Sequence, residues 1–453
     1  METRTDVRAL AETLRASIAG EVIEPGDAAF GDATQLWSDR STSRPAIVAR
    51  VATAMDVQRV LRLTPPDVRI AARGRGHDWA GRAHAQDGVT VDLSGMRGVE
   101  IDPTARTARV QGGASLGDLA DAAAQHGLAA AVGTVSDVGV VGLAVGGGYG
   151  PYLGTRGLAA DAIVSAEIVL ADGSIVVASD EEHPSLLWAL RGGGGNFGIV
   201  TMLEIALAEL PVVLAGPIAF STEEMGRVLT ALDDLFPTVP DQLSIAPAVT
   251  SGPDGAPMLL VSVTWQGSEA DGRPWVRRIE EAGTPLMSEV HPVTPAQALH
   301  ALDGMFPAGR HYTLRTVSLP RLSPAVVEAL EAGERWRTSP LTAVNIHHFH
   351  GAATRVDAAH SPWALRDSHV MVELIATTPG AEGHDAEVAW ADRLLRELQA
   401  HGLPAAYPNL LPPTDVARAG ATFGDNLARL HAVKAQVDPT RRLSATSIGH
   451  AGG

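Results

Sequence analysis

The chain has 453 residues, with 52 acidic side chains against 35 basic ones and no cysteine. Length favours two domains over one, and a chain of this size buries roughly 75% of its unfolded surface without covalent staples. A formal charge of −17 repels polyanions, which argues against nucleic acid and anionic membranes as partners. The lack of cysteine excludes disulfides, thiolate metal sites and thiol nucleophiles.

Ahead of Gly20, the apolar residues Val7, Leu10, Leu14 and Ile18 fall at helical spacing among acids and bases. This predicts an amphipathic helix rather than a signal or transit peptide. No run approaches the length of a membrane span, so the expected location is the cytoplasm. From Pro45 to Leu207 short β-branched strands alternate with helices and glycine-rich loops. Pro45–Val51 and Val68–Ala72 read as strands and Thr53–Leu63 as a helix; Val89–Leu93 and Thr107–Gln111 alternate like a pair of strands. Ser115 with Asp118 marks a helix start. Asp172-Gly173, between Ile163–Leu170 and Ile175–Ala178, predicts a hairpin.

After Leu207 the texture changes. Val212–Phe220, Gln242–Thr250, Met258–Trp265, His311–Leu319, Thr342–Phe349 and His369–Ala376 read as strands. Helices fall between them, one of them opening on a capping box of Ser221 and Glu224. The pattern predicts one antiparallel sheet with helices on a single face. The expected boundaries are 1–207, 208–404, and a return of 405–453 to the first domain.

Three glycine-rich loops, at 73–78, 133–150 and 192–198, each stand beside a strand or helix start. Several converging backbone N–H groups are what a dinucleotide pyrophosphate needs. A P-loop is excluded, since the only lysine is Lys434. Gly193–Gly198 matches Gly-x-Gly-x-x-Gly, but it follows a helix and precedes a strand, the reverse of the dinucleotide fold. Gly113-Ala114-Ser115-Leu116-Gly117 matches a nucleophile elbow, and a helix cap by Ser115 accounts for it better.

Arg73-Gly74-Arg75-Gly76-His77-Asp78-Trp79 resembles the pyrophosphate loop of the vanillyl-alcohol-oxidase type of FAD-binding fold, in its berberine-bridge-enzyme-like subgroup. Gly133–Gly139, Gly146–Gly150, Arg156-Gly157-Leu158 with Asp161, and Trp188–Gly198 follow in the order found in that family. Tyr407-Pro408-Asn409, then Asn426, Arg429-Leu430, Lys434 and Asp438-Pro439, complete the resemblance over nearly the whole chain. It implies an α+β architecture: a two-part PCMH-type FAD-binding domain, plus an antiparallel-sheet substrate domain covered by helices on one face.

The resemblance further implies FAD as cofactor, covalently joined to His77 through the 8α-methyl group. Some relatives add a bond from a cysteine, but Val135 stands at that position, so one link is expected. The implied cofactor contacts are Arg73, Gly74, Arg75, Gly76, His77, Asp78, Gly133, Thr134, Val135, Ser136, Val138, Gly139, Gly142, Gly147, Tyr149, Gly150, Ile199, Val200, Tyr407 and Asn409. Val138 stands where side-chain size is thought to gate oxygen, and it points to an oxidase. Tyr407 and Asn409 are the catalytic candidates; Tyr407 either accepts a proton, which needs a lowered pKa, or only packs on the flavin.

On the strand Val344–His350, His348 and His350 share one face and His347 the other. His348, His350, His311 and Tyr312 are the substrate-pocket candidates. No third ligand accompanies the His-x-His pair, so no metal is expected. Two departures from the family stand out, Leu365-Arg366 for a His-Arg pair and Thr446-Ser447-Ile448 for an Asn-rich ending. The partners implied are a small alcohol or amine substrate and O2. A dehydrogenase with another electron acceptor and a silent flavin-binding protein are the alternatives.

Overall fold

The computed structural model describes residues 7–131, 133–252, 254–357, 359–443 and 445–449. A first sheet has the order β1 (Glu21–Ile23), β2 (Ile47–Arg50), β4 (Val89–Asp92), β3 (Ile70–Arg73). β2, β4 and β3 run parallel, and β1 is antiparallel to β2. The helix Ala54–Leu63 crosses from β2 to the next strand and buries Val57, Val60 and Leu61 on the sheet, the usual route between parallel strands. The N-terminal helix Val7–Ser17 closes this core with Leu10, Ala11 and Leu14.

A second sheet joins β5 (Val99–Asp102), β6 (Thr107–Gln111), β7 (Leu128–Ala130), β8 (Ile163–Val169), β9 (Ile175–Ala178) and β10 (Ile199–Glu209). The Asp172-Gly173 turn forms between β8 and β9, with Gly173 at φ +80°. Ser115 and Asp118 form a complete capping box on the helix Leu116–Ala124, so the Ser115 hydroxyl is a cap and no nucleophile.

Two sequence expectations fail here. Val89–Leu93 and Thr107–Gln111 are not partners, because β4 lies between β2 and β3 in the first sheet while β6 pairs with β5 and β10 in the second. Alternation marks a strand but not its neighbour; the neighbour is set by the tight turn at Asp102, whose carboxylate accepts from the N–H groups of Thr104 and Ala105. The Ser221–Glu224 capping box does not form either. Ser221 caps a single 3-10 turn through Glu223 N–H, and the Glu224 carboxylate accepts from Thr284 instead.

The third sheet has eight strands: β11 (Val213–Ser221), β12 (Leu243–Ser251), β13 (Pro257–Trp265), β14 (Met287–Ser288), β15 (His291–Val293), β16 (His311–Leu319), β17 (Ala343–Phe349) and β18 (His369–Thr378). Its pairings are antiparallel. Helices Met225–Leu235, Glu269–Glu280, Pro324–Trp336 and His384–Gln399 share one core with one face of it, through residues such as Val249, Val261, Val344, Val372 and Val317. This is the single-sided cover that the sequence predicts. The opposite face packs on the glycine-rich half, where Phe349 and Met371 meet Tyr407 and Trp363, and Tyr312, Leu314 and Ile375 meet Trp79. Among the described residues no helix is long and apolar enough to cross a membrane.

The C-terminal segment returns to the first half. Leu430 and Val433 of the helix Leu427–Val437 join the core of the second sheet, and Leu443 bridges to Ile70 of the first. Lys434 is buried, pairs with Asp438 at 2.5 Å, and donates to the carbonyls of Asn196 and Leu443. A buried charge of this kind is tolerated because every hydrogen has an acceptor.

Candidate functional site

The loop after β3 carries the first group of candidates. Arg73 is tied to Asp92 (3.0 Å), which also holds Arg50 (3.1 Å). Gly76 turns the chain at φ +72°, a conformation that favours glycine. Asp78 is bonded within its own loop. Its carboxylate accepts from the N–H groups of Ala80 (3.1 Å) and Ala83 (2.9 Å), and so shapes the loop. Trp79 Nε1 and Arg82 then donate to the carbonyl of Asn409 at 3.3 and 2.8 Å. The His77 loop is thereby joined to the Tyr407–Asn409 turn far along the chain.

His77 is pushed down to about 4 by burial. At neutral pH its imidazole is therefore uncharged, the form in which a ring nitrogen is a nucleophile.

The second glycine block lies across from this loop. Gly139 bridges to Ser115, and a Cβ there would press on Arg75 Cγ at 3.3 Å. Gly142 opens on free space, with nothing within 4 Å of a Cβ. Gly133, by contrast, is required by packing, since a Cβ would strike Leu143 at 2.7 Å. Thr134, Val135 and Val138 are half-buried, and the Ser136 hydroxyl bonds Asp303 of the far domain. Ile199 and Val200 bury their side chains in two different cores, so only their backbone is available to a ligand.

Tyr149 and Tyr407 meet edge-on with ring centroids 5.0 Å apart. Tyr407 Oη accepts from Gly148 N–H at 2.6 Å, and Gly147, at φ +117°, leaves room for the Tyr407 and Trp363 rings. Gly150 is buried and its carbonyl accepts from Leu153 N–H. Asn409 packs against Gly146 and accepts from Thr446 Oγ1 at 3.0 Å. The altered C-terminal ending thus still reaches this turn.

Burial pushes the Tyr407 phenol up to about 12, against the pull of Gly148 N–H and Asn409. Burial and the nearby Glu373 carboxylate push Tyr149 well above its ordinary value. Both phenols are protonated at neutral pH, so Tyr407 stands in the site as a hydrogen-bonding group packed against Tyr149 and Trp363.

The sequence candidates in the middle domain need correcting. His348 and His350 stack on each other at 4.6 Å, and His348 stacks on Phe236 at 4.3 Å. His348 lies on the side of β17 facing the helices, because period two places it with Val344 and Ile346 in that core, whereas His350 follows the end of the strand and sets its ring against Gly154. His311 likewise points to the helix side, with its ring 5.5 Å from His384. Tyr312 is on the cleft side but fully buried, stacked on Trp37 at 3.8 Å. The histidine that does face the site is His347, whose ring is 4.6 Å from Tyr149.

Beside it stands Glu373, a residue not among the sequence candidates. It is 7% exposed, accepts from Asn345 Nδ2 at 3.3 Å, and lies 3.8 Å from His347 Nε2, which has no hydrogen-bond partner among the described residues. One acid within the buried run Val370–Ala376 is the signal that was available, since an isolated charge in an apolar strand is costly.

Burial pushes His348 down to about 3 and His369 to about 4. The unfolded chain takes up protons at these sites below about pH 6.5, while the folded protein does not until near pH 3–4. Stability is therefore full above pH 6.5 and falls with acidification, by about 1.4 kcal/mol per pH unit per histidine. Urea unfolding at pH 7 and pH 5 should show this loss, and His348→Phe should reduce it; an equal loss in both proteins would remove His348 as a cause.

The fit to FAD rests on unmatched donors. The Nε atoms of Arg73 and Arg75 are buried without a hydrogen-bond partner among the described residues, beside glycines that a side chain would crowd. An anionic phosphate is the complement of such a cradle.

A family model for an FAD binding domain matches residues 45–179. The (R)-6-hydroxynicotine oxidase of Paenarthrobacter nicotinovorans is 37% identical over 301 residues, 65% of this chain and 65% of that relative. The crystal structure of 6-hydroxy-D-nicotine oxidase from Arthrobacter nicotinovorans superposes with a TM-score of 0.87 at 28% identity, covering 97% of this chain and 98% of that one. The Physcomitrella patens BBE-like 1 structure shares the fold, with a TM-score of 0.88 at 20% identity and coverage of 98% and 100%. The chain accordingly contains an FAD binding domain and has the fold of the berberine-bridge-enzyme-like proteins, and the relatives it resembles are FAD-linked oxidoreductases.

Proposed function

We propose that the protein is an oxidase that removes a hydride from a carbon bearing an alcohol or amine in a small substrate, and returns the electrons to O2 as hydrogen peroxide. Residues 1–207 and the return of 405–453 hold the cofactor, and residues 208–404 cover it and bind substrate. Bound FAD supplies the two-electron acceptor. Arg73, Arg75 and the glycine-rich loops hold its phosphates, and neutral His77 forms the single covalent link.

The observation that carries this reading is the cluster of Glu373, His347, Tyr149 and Tyr407 on the cleft face of the sheet. Loss of hydride from an alcohol or amine carbon requires loss of a proton from the attached O–H or N–H. Glu373 is the only acid on that face of β16, β17 and β18, and it takes this proton. The two phenols, protonated, orient the substrate by hydrogen bonding. The similarity to a hydroxynicotine oxidase favours an amine or alcohol substrate over a sugar, and Val138 favours reoxidation by O2.

Acid precipitation of the purified protein is expected to leave yellow colour with the pellet. His77→Ala should release all of it, with FAD still bound before acid. Colour released from the wild type would remove the covalent link; absence of flavin would remove the function. Peroxide release across a panel of amines and alcohols tests the chemistry. Rapid flavin bleaching with very slow reoxidation in air would instead make the protein a dehydrogenase.

A further inference from the structure

The His77 ring is held by stacking alone. Among the described residues neither of its nitrogens makes a hydrogen bond, and the adjacent Asp78 carboxylate is turned to its own loop. A functional imidazole is ordinarily oriented by a hydrogen bond to one nitrogen, which leaves the other free. Here the Trp37 ring covers one face of His77, with centroids 4.5 Å apart and planes 17° from parallel. Tyr312 stacks on the far side of Trp37 at 3.8 Å and 10°.

The rings behind His77 are fixed independently of it. Trp37 Nε1 donates to the Phe306 carbonyl at 2.8 Å, Trp37 N–H donates to the Gly76 carbonyl at 2.8 Å, and Tyr312 Oη donates to the Pro307 carbonyl at 2.7 Å. Ser38 Oγ also bonds both the carbonyl and the N–H of Tyr312. The column is therefore a rigid backing built from the segment before β2 and from β16, two parts of the chain far apart in sequence.

We infer that Trp37 is a positioning residue for flavin attachment: its ring fixes the plane of the His77 imidazole, so that a nitrogen lone pair is held toward the cleft. The inference rests on the His77 link proposed above. Forming that link joins a His77 ring nitrogen to the carbon of the flavin 8-methyl group. One hydrogen leaves that carbon and one leaves the imidazole, and the two electrons released pass by way of the flavin to dioxygen, which leaves as hydrogen peroxide. A nucleophile confined to one plane reaches the reacting carbon more often than one that rotates. Stacked aromatic pairs are strong enough to change such a rate by about tenfold.

The test follows the full-length protein as it is made. Cells are sampled at successive times after induction, and acid-stable flavin is divided by total bound flavin in the purified protein. Trp37→Leu is expected to match the wild type in total flavin but to gain acid-stable flavin about tenfold more slowly. Trp37→Phe keeps a stacked ring and should recover most of the rate. If Trp37→Leu does not fold, Trp37→Met, which fills the volume without a planar ring, carries the same expectation. A non-aromatic variant that attaches flavin at the wild-type rate overturns the positioning role, as does Trp37→Phe behaving like Trp37→Leu. Flavin released by acid from the wild type itself overturns the link and this inference together.

Discussion

Glu373→Gln is expected to lower kcat by roughly 10²–10⁴-fold, the range in which a positioned proton acceptor contributes, with flavin content unchanged. Glutamine keeps the shape of the side chain and still offers Asn345 an oxygen to replace the 3.3 Å contact. What it removes is the base and the negative charge. That charge is one of the causes holding both Tyr149 and Tyr407 protonated, so the substitution also eases ionisation of both phenols. A loss seen mainly in kcat, with the rate of flavin reduction falling in parallel, assigns the role to proton removal. A variant within threefold of the wild type would transfer that role elsewhere and leave Glu373 as a binding group. Tyr407→Phe separates the two readings further, because a phenol that only orients substrate should change KM more than kcat.

Asp161→Ala is expected to destabilise the fold by about 3–5 kcal/mol, because it leaves a buried guanidinium without its counter-charge. Asp161 and Arg366 make two parallel hydrogen bonds of 2.9 and 2.8 Å, with their side chains 6% and 11% exposed. Arg366 also donates to the carbonyls of Ala353 and Trp363 and to Ser361 Oγ. Removal of one partner therefore frees a network rather than one contact. The same network holds Trp363, whose ring lies 5.3 Å from Tyr407. Arg366 is thus a structural residue and not a substrate contact. Urea denaturation measures the effect, and a change below 1 kcal/mol would mean that water reaches the guanidinium after substitution. Arg366→Met with Asp161→Leu should recover much of the loss, since paired apolar residues often replace a buried ion pair without penalty.

How far the sequence carried the reading varied from element to element. The glycine blocks, the Ser115 cap, the Asp172-Gly173 hairpin and the single-sided middle sheet were legible, because each depends on local chemistry or on period two. The partners of β4 and β6 were not, since strand pairing is decided by which turns close and which cores fill. The histidines of β17 show the limit most clearly. Parity correctly put His348 and His350 on one face and His347 on the other, but parity does not say which face meets the cofactor half. The helix side buries His348, His350 past the strand end packs on Gly154, and His347 is left to the cleft. Trp37 gave no sequence signal at all, because its meaning depends on β16 arriving behind it.

The return of the chain to its beginning has a consequence for the order in which the site is made. Protein emerges from the ribosome N-terminus first, and early domains fold as they appear. A nascent chain that has emerged as far as β18 already possesses the His77 loop, the three glycine blocks and Glu373. It still lacks Tyr407, Asn409 and Thr446, and the Lys434 ammonium that ties the third block to the C-terminal segment through Asn196. The cleft is therefore completed only after the covering sheet has been made, by residues that follow it in the chain.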